Sequence, residues 1–178
     1  EVLSSTLGGG FTSRLVQRLR EQLGITYGAR AGMDYRLVPG PFVISTAIVT
    51  PETGHGLTEI FKILDDLASS DLPAEELDKS KQNLIRALPA QFQTNAATAG
   101  SFADLAVFGL PDNWYATYAA NVRKVTAKDV KAAAKALIPS KNMVISIVGD
   151  MSKIKPDLDK LSLGDAEMHD LYGMPLKQ

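Results

Sequence analysis

A run of three glycines, Gly8, Gly9 and Gly10, constrains this chain most. No helix or strand interior favours such a run, because each glycine loses much backbone entropy on ordering. The run therefore predicts a loop. Residues 7–32, LGGGFTSRLVQRLREQLGITYGARAG, then unfold around it. Upstream, EVLSSTL reads as the end of a helix meeting its glycine stop. Downstream, Thr12 or Ser13 is placed to cap a helix by accepting from its free N–H groups. Leu15, Leu19 and Leu23 recur every four residues with Val16 beside them, which is one apolar helix face. Gly24 stands where a C′ glycine ends a helix. Residues 25–37 carry β-branched and aromatic side chains and read as a strand. Arg20 thus falls in the last helical turns and Tyr27 at the strand start. A guanidinium and a phenol can converge there. Each is also ordinary in its place, the arginine complementing the helix dipole and the tyrosine suiting a strand.

The rest of the chain alternates strand and helix signals. Pro39, Gly40 and Pro41 mark a turn. Residues 42–50 form a predicted strand whose apolar residues on both parities suggest burial on both faces. A turn at 51–54 precedes an amphipathic helix carrying Leu57, Ile60, Phe61, Leu64 and Leu67. Pro73 opens a second helix with Leu77, Lys81, Leu84, Ile85 and Leu88 along one face, and Pro89 ends or kinks it. Residues 96–108 read as helical with Phe102, Leu105 and Ala106 inward. Asp112 or Asn113 can cap a helix bearing Trp114, Tyr118 and Val122. Thr126 and Asp129 resemble a capping box with Asp in place of Glu. Val130, Ala133, Ala134 and Leu137 give a small-residue face, and residues 143–148 form a short apolar strand. The segment 151–178 is polar and punctuated by proline. These signals predict an α+β chain: an antiparallel-type sheet with helices packed on one face. The expected division is a domain over residues 1–150 and a C-terminal tail over 151–178.

Composition excludes several classes. The 178 residues can bury a substantial core. A net charge of −1 without long runs of one sign argues against a nucleic-acid footprint or a basic membrane patch. No apolar run approaches a membrane span. There is no cysteine, and the two histidines, His55 and His169, stand far apart outside any H-x-x-E-H or H-E-x-x-H motif. A catalytic zinc needs three protein ligands and an open position, so no metal is expected in this chain. His55, between Gly54 and Gly56, reads as a solvated loop residue. The glycine run lacks the spacing of a phosphate-binding loop. The Trp114, Tyr115 and Tyr118 cluster reads as core and rim packing. Asp65–Asp66 and Glu75–Glu76 read as solvated helix faces.

The string LGGGFTSRL…LREQLGITYGARAG resembles the C-terminal domain of the insulinase (pitrilysin) family of zinc metallopeptidases. TAIVTPETGHGLTEIFKILDDL, LPAEELDKSKQNLIRAL and VRKVTAKDVKAAAKALIPSKNMVISIVGD are similar to its following strand–turn–helix, helix, and closing helix and strand. In that family two homologous halves close around a chamber. One half bears zinc on an inverted H-x-x-E-H motif. The other lacks zinc and contributes an arginine–tyrosine pair. The resemblance implies that this chain is part of the zinc-free half, incomplete at its N-terminal side, with the opening strands of the complete domain upstream of Glu1. It implies that Arg20 and Tyr27 grip peptide substrate and stabilise the transition state, side by side on a concave surface. It implies that Gly8, Gly9, Gly10 and Phe11 border the chamber and touch substrate. Zinc is expected in the partner half, in the same polypeptide or a separate subunit. The rival reading is a non-catalytic assembly subunit of the same descent.

Overall fold

The computed structural model describes residues 1–138 and 143–176. Residues 139–142 of the closing helix–strand motif lie outside the described residues. The chain begins with helix α1 (Val2–Gly8), followed by a π-helical segment (Val16–Gln22). Strands β1 (Thr26–Met33) and β2 (Phe42–Ile48) pair antiparallel and make the two-stranded sheet of the described residues. Helices α2 (Thr53–Ser69), α3 (Ala74–Ala87), α4 (Asn95–Val107), α5 (Trp114–Lys124), α6 (Ala127–Leu137) and α7 (Met151–Leu158) follow. The architecture is α+β, with helices gathered on one side of an antiparallel pair.

A two-stranded hairpin is marginal alone and needs a helix against its apolar face. Here α1 supplies it. Gly8 belongs to the last turn of α1 and is buried; a Cβ there would lie 2.2 Å from the Ala31 amide nitrogen. Glycine at that position is what lets the helix touch β1. The expected glycine loop is thus shortened to Gly9 and Gly10. Leu7, Leu15, Leu19 and Leu64 are almost wholly buried and join Leu3, Ile25, Ile60, Leu67, Val130 and Ala134 in one core. The helix face read from Leu15, Leu19 and Val16 is therefore the one that packs inward.

Several sequence expectations differ from the structure. The β2 strand is half-buried on the face of Phe42, Ile44, Thr46 and Ile48, and exposed on the other, so only one side of the hairpin is covered. Residues 143–148 form no strand, since no neighbouring strand offers them a ladder among the described residues. Val144 and Val148 are 96% and 98% exposed. Phe102 and Ala106 point outward from α4, while Leu105 and Ser101 face in. The capping box at Thr126 and Asp129 is present, both reciprocal bonds included. The side chain of Asn113 makes no cap bond to α5. Helix α7 packs on α2, where Asp157 lies against Gly54, and its Ile154 is buried. Beyond it, Asp170 accepts from the Tyr172 and Met174 amides, folding a tight turn that leaves Leu171 and Tyr172 in solvent.

Candidate functional site

The segment between α1 and β1 is not a regular α-helix. Residues 14–15 start in α form, and the backbone then widens into the π form. The Leu23 amide donates to the Arg18 carbonyl five residues back, at 3.1 Å. The Ile25 amide reaches the Leu19 carbonyl at 3.0 Å. Gly24, at φ +66°, turns the chain out into β1, a conformation that favours glycine. π-Helical turns are rare and concentrate at functional positions. This one carries Arg20. The expected cap is also different: Ser13 Oγ donates back to the Gly10 carbonyl at 2.6 Å, and Thr12 Oγ1 accepts from the Asn83 side chain.

Tyr27 owes its placement to a bulge. The pairing of β1 with β2 slips between Thr26 and Ala29, so Tyr27 and Gly28 stand outside the ladder. Two threonines satisfy the freed backbone. Thr26 Oγ1 donates to the Ala47 carbonyl at 2.6 Å and accepts from the Gly28 amide at 3.1 Å. Thr46 Oγ1 donates to the Gly28 carbonyl at 3.0 Å. Bulges re-aim side chains, and this one presents the Tyr27 ring 88% exposed.

The structure brings the two named residues together. Arg20 Cζ lies over the Tyr27 ring, 5.0 Å from its centroid. It also lies over the Phe11 ring at 4.9 Å. Phe11 is 70% exposed, and its carbonyl accepts from the Gln17 side chain at 2.7 Å. An arginine over an aromatic face gains cation–π attraction. The sequence placed Phe11 near the site but not against Arg20. No periodicity could reveal that contact, because a loop carries Phe11 there. Gly28 directly after Tyr27 was a usable hint of the bulge, since glycine within a strand often marks one. The trio stands on an exposed surface. Two cavities of the fold are lined by other residues. The larger, about 690 Å³, is lined by residues such as Phe42, Phe108, Trp114, Tyr115, Tyr118 and Leu137. There Tyr118 donates to the Glu1 carboxylate at 2.5 Å, and burial pushes its phenol above the ordinary range.

The other arginines of the segment have different surroundings. Arg14 bridges α2 and α3, pairing with Asp66 and with Glu76 at 2.6 Å. Arg18 Nε donates to the buried carboxylate of Glu59 at 2.6 Å. That bond, with a second from Lys62, pulls the Glu59 pKa down to about 2. Asp66 and Glu76 are therefore tied by ion pairs rather than merely solvated. His55 lies in the first turn of α2, not in a loop, with Nδ1 2.9 Å from Glu52. Among the described residues no three His, Cys, Asp or Glu side chains gather as a metal site. No helix among the described residues is long and apolar enough to cross a membrane.

Comparison with known proteins follows the same geometry. A family described as the peptidase M16 inactive domain matches residues 1–84, which hold α1, the π-helical segment, the hairpin and α2. The match covers just under half of the chain. Solved structures share the fold. A peptidase M16 inactive domain from Pseudomonas fluorescens superposes with a TM-score of 0.68 at 25% identity, over 77% of this chain and 33% of that one. A protease from Helicobacter pylori shares the fold, with a TM-score of 0.64 at 23% identity, over 76% of this chain and 32% of that one. Among curated proteins, the non-peptidase homolog YmxG of Helicobacter pylori is 25% identical over 157 residues, 87% of this chain and 36% of that protein. The chain thus spans about a third of the length of these relatives.

Proposed function

We propose that this M16 inactive domain is the substrate-holding half of a peptidase, with Arg20 and Tyr27 as its contacts to peptide. A single observation carries the reading. Of the three arginines in residues 14–22, Arg14 and Arg18 are hydrogen-bonded to carboxylates of other helices, whereas Arg20 pairs with its sequence neighbour Glu21 at 3.3 Å, donates no side-chain hydrogen bond among the described residues, and rests on two exposed aromatic rings. A guanidinium held only by a half-exposed neighbouring carboxylate, beside a phenol with no hydrogen bond among the described residues, is a set of donors open to an acceptor. The acceptor in peptide hydrolysis is the carbonyl oxygen, which gains negative charge as it becomes tetrahedral. Fixed donors aimed at that charge stabilise the transition state. Tyr27 supplies one O–H and Arg20 several N–H groups. Hydrolysis itself belongs to a homologous zinc-bearing half, and this chain binds and orients the peptide. Gly9, Gly10 and Phe11 border the same surface and are assigned contacts with substrate. Gly8 is assigned to packing, since β1 covers it.

A second reading has its own support. The curated relative YmxG is described as a non-peptidase homolog. On that reading the chain is an assembly subunit, and the exposed trio is an interface. Steady-state kinetics on the protein combined with its zinc-bearing half separates the two. Tyr27→Phe should lower kcat about 10²–10³-fold while leaving the thermal melt unchanged. Arg20→Lys should also fail, because an ammonium lacks the planar fork. Near wild-type kcat for both variants would leave the assembly reading standing.

A further inference from the structure

We propose that Phe11, Arg20 and Tyr27 together form a carboxylate-binding site, whose ligand is a peptide bearing a free carboxylate beside an apolar side chain. The proposal rests on the reading above that Arg20 and Tyr27 contact substrate, and it narrows the substrate class.

The first ground is what the guanidinium lacks. Its side chain is 30% exposed, so it has lost part of its water. The ring faces it rests on offer no oxygen lone pair. Glu21 Oε1 comes within 3.3 Å of Nε but makes no hydrogen bond to it, and that carboxylate is half exposed. The Tyr27 hydroxyl makes no hydrogen bond among the described residues, so a second donor stands free beside the first. A partly dehydrated cation whose edge is open favours an anion over a neutral carbonyl, since bonds between charged partners are roughly twice as strong. The second ground is shape. A guanidinium presents parallel N–H groups that match both oxygens of a carboxylate at once. An amide carbonyl offers one oxygen and leaves a donor unmatched. The third ground is the rings. Phe11 and Tyr27 are exposed well beyond what contact with Arg20 requires, at 70% and 88%. Their open faces and edges give an apolar side chain a place next to the bound carboxylate. Phe11 acts here as a positioning residue. It touches Arg20 from a loop that Gln17 pins through the Phe11 carbonyl.

A peptide can supply the carboxylate from its C-terminus or from an acidic side chain, and three probes separate these sources. They are N-acetyl-Ala-Phe with a free carboxylate, its C-terminal amide, and N-acetyl-Glu-Phe-amide. Each is titrated into the full chain while the Arg20 Nε–H signal is followed by nitrogen-edited NMR. At least one acid should saturate that signal with affinity about tenfold or more above the amide. The chain-end acid binding better identifies a reader of peptide termini; the glutamyl probe binding better identifies a reader of acidic residues. Arg20→Lys and Phe11→Ala should each weaken the preferred acid several-fold, and Glu21→Gln should tighten it. Both Arg20 and Phe11 are surface positions, so a far-ultraviolet spectrum suffices as the folding control. Equal affinity for acid and amide would overturn the proposal. So would the absence of a saturable shift with all three probes, or full acid binding by Arg20→Lys. The outcome is separable from the kinetic test: acid binding can persist where kcat is insensitive to both residues, and kcat can fall where acids and amides bind alike.

Discussion

Arg14 and Arg18 lie on one side of a short helix, Arg20 on another, and the two sides do opposite work. The first side faces α2 and α3, whose Asp66, Glu59 and Glu76 accept its hydrogen bonds. The second side faces the turn into β1, where Arg20 lies over the rings of Phe11 and Tyr27 and its one carboxylate neighbour among the described residues, Glu21, pairs at 3.3 Å without a hydrogen bond. Three residues of one type, within seven positions, are thus divided between pairing with carboxylates of other helices and resting on aromatic rings. What divides them is the chemistry opposite. A carboxylate satisfies a guanidinium and ends its availability, whereas an aromatic ring steadies it and leaves its donors open.

The comparison is sharpened by substitutions that should separate stability from binding. The largest effect belongs to the core beneath both sides. Leu19→Ala removes a wholly buried side chain and should cost about 2–5 kcal/mol, read from urea or guanidinium unfolding. Its tolerance would mean that the π-helical segment is not packed as described. Next comes Glu59→Gln, which leaves Arg18 and Lys62 without their shared carboxylate. A loss of about 1–3 kcal/mol is expected, moderated because both cations reach water.

Glu59 also sets a pH dependence. Its folded pKa lies near 2, below the ordinary value of 4.5, because Arg18 and then Lys62 hold the charged form. A carboxylate with a depressed folded pKa stabilises the protein fully above its unfolded value. That contribution fades as pH falls from about 4.5 toward 2. Unfolding midpoints measured between pH 6 and pH 3, in wild type and Glu59→Gln, should therefore converge as acid is added. Parallel curves would show that Glu59 is not the linked group.

The sequence revealed the elements better than their surroundings. The Leu15–Leu19 face, the helix around Ile60 and Leu64, and the Thr126–Asp129 capping box depend on neighbours within a turn or two, and local pattern captured them. Arg20 and Tyr27 were legible through the glycine stop that separates helix from strand. The contact with Phe11 was not, because it is made across a loop. Nor was the widened helical turn: Val16 to Gln22 carries an ordinary helical composition, yet its backbone takes the π form. Residues 143–148 show the opposite failure. Their β-branched pattern is genuine, but a strand needs a partner, and pairing is not a local property.

The smallest stability effect is the one that tests the comparison most directly. Arg20→Gln removes cation–π attraction at an exposed site, worth about 0.5–1 kcal/mol, and breaks no hydrogen bond. Arg14→Gln leaves the carboxylates of Asp66 and Glu76 facing each other without their bridge, and its cost should exceed that of Arg20→Gln. Salt should discriminate as well. The Arg14 contribution is ionic and is screened as ionic strength rises, so the gap between the two variants should narrow in high salt. Equal unfolding midpoints for the two at low salt would mean that Arg20 is as structural as Arg14. The division between the two sides of the helix would then collapse, and with it the reason for assigning Arg20 to a ligand.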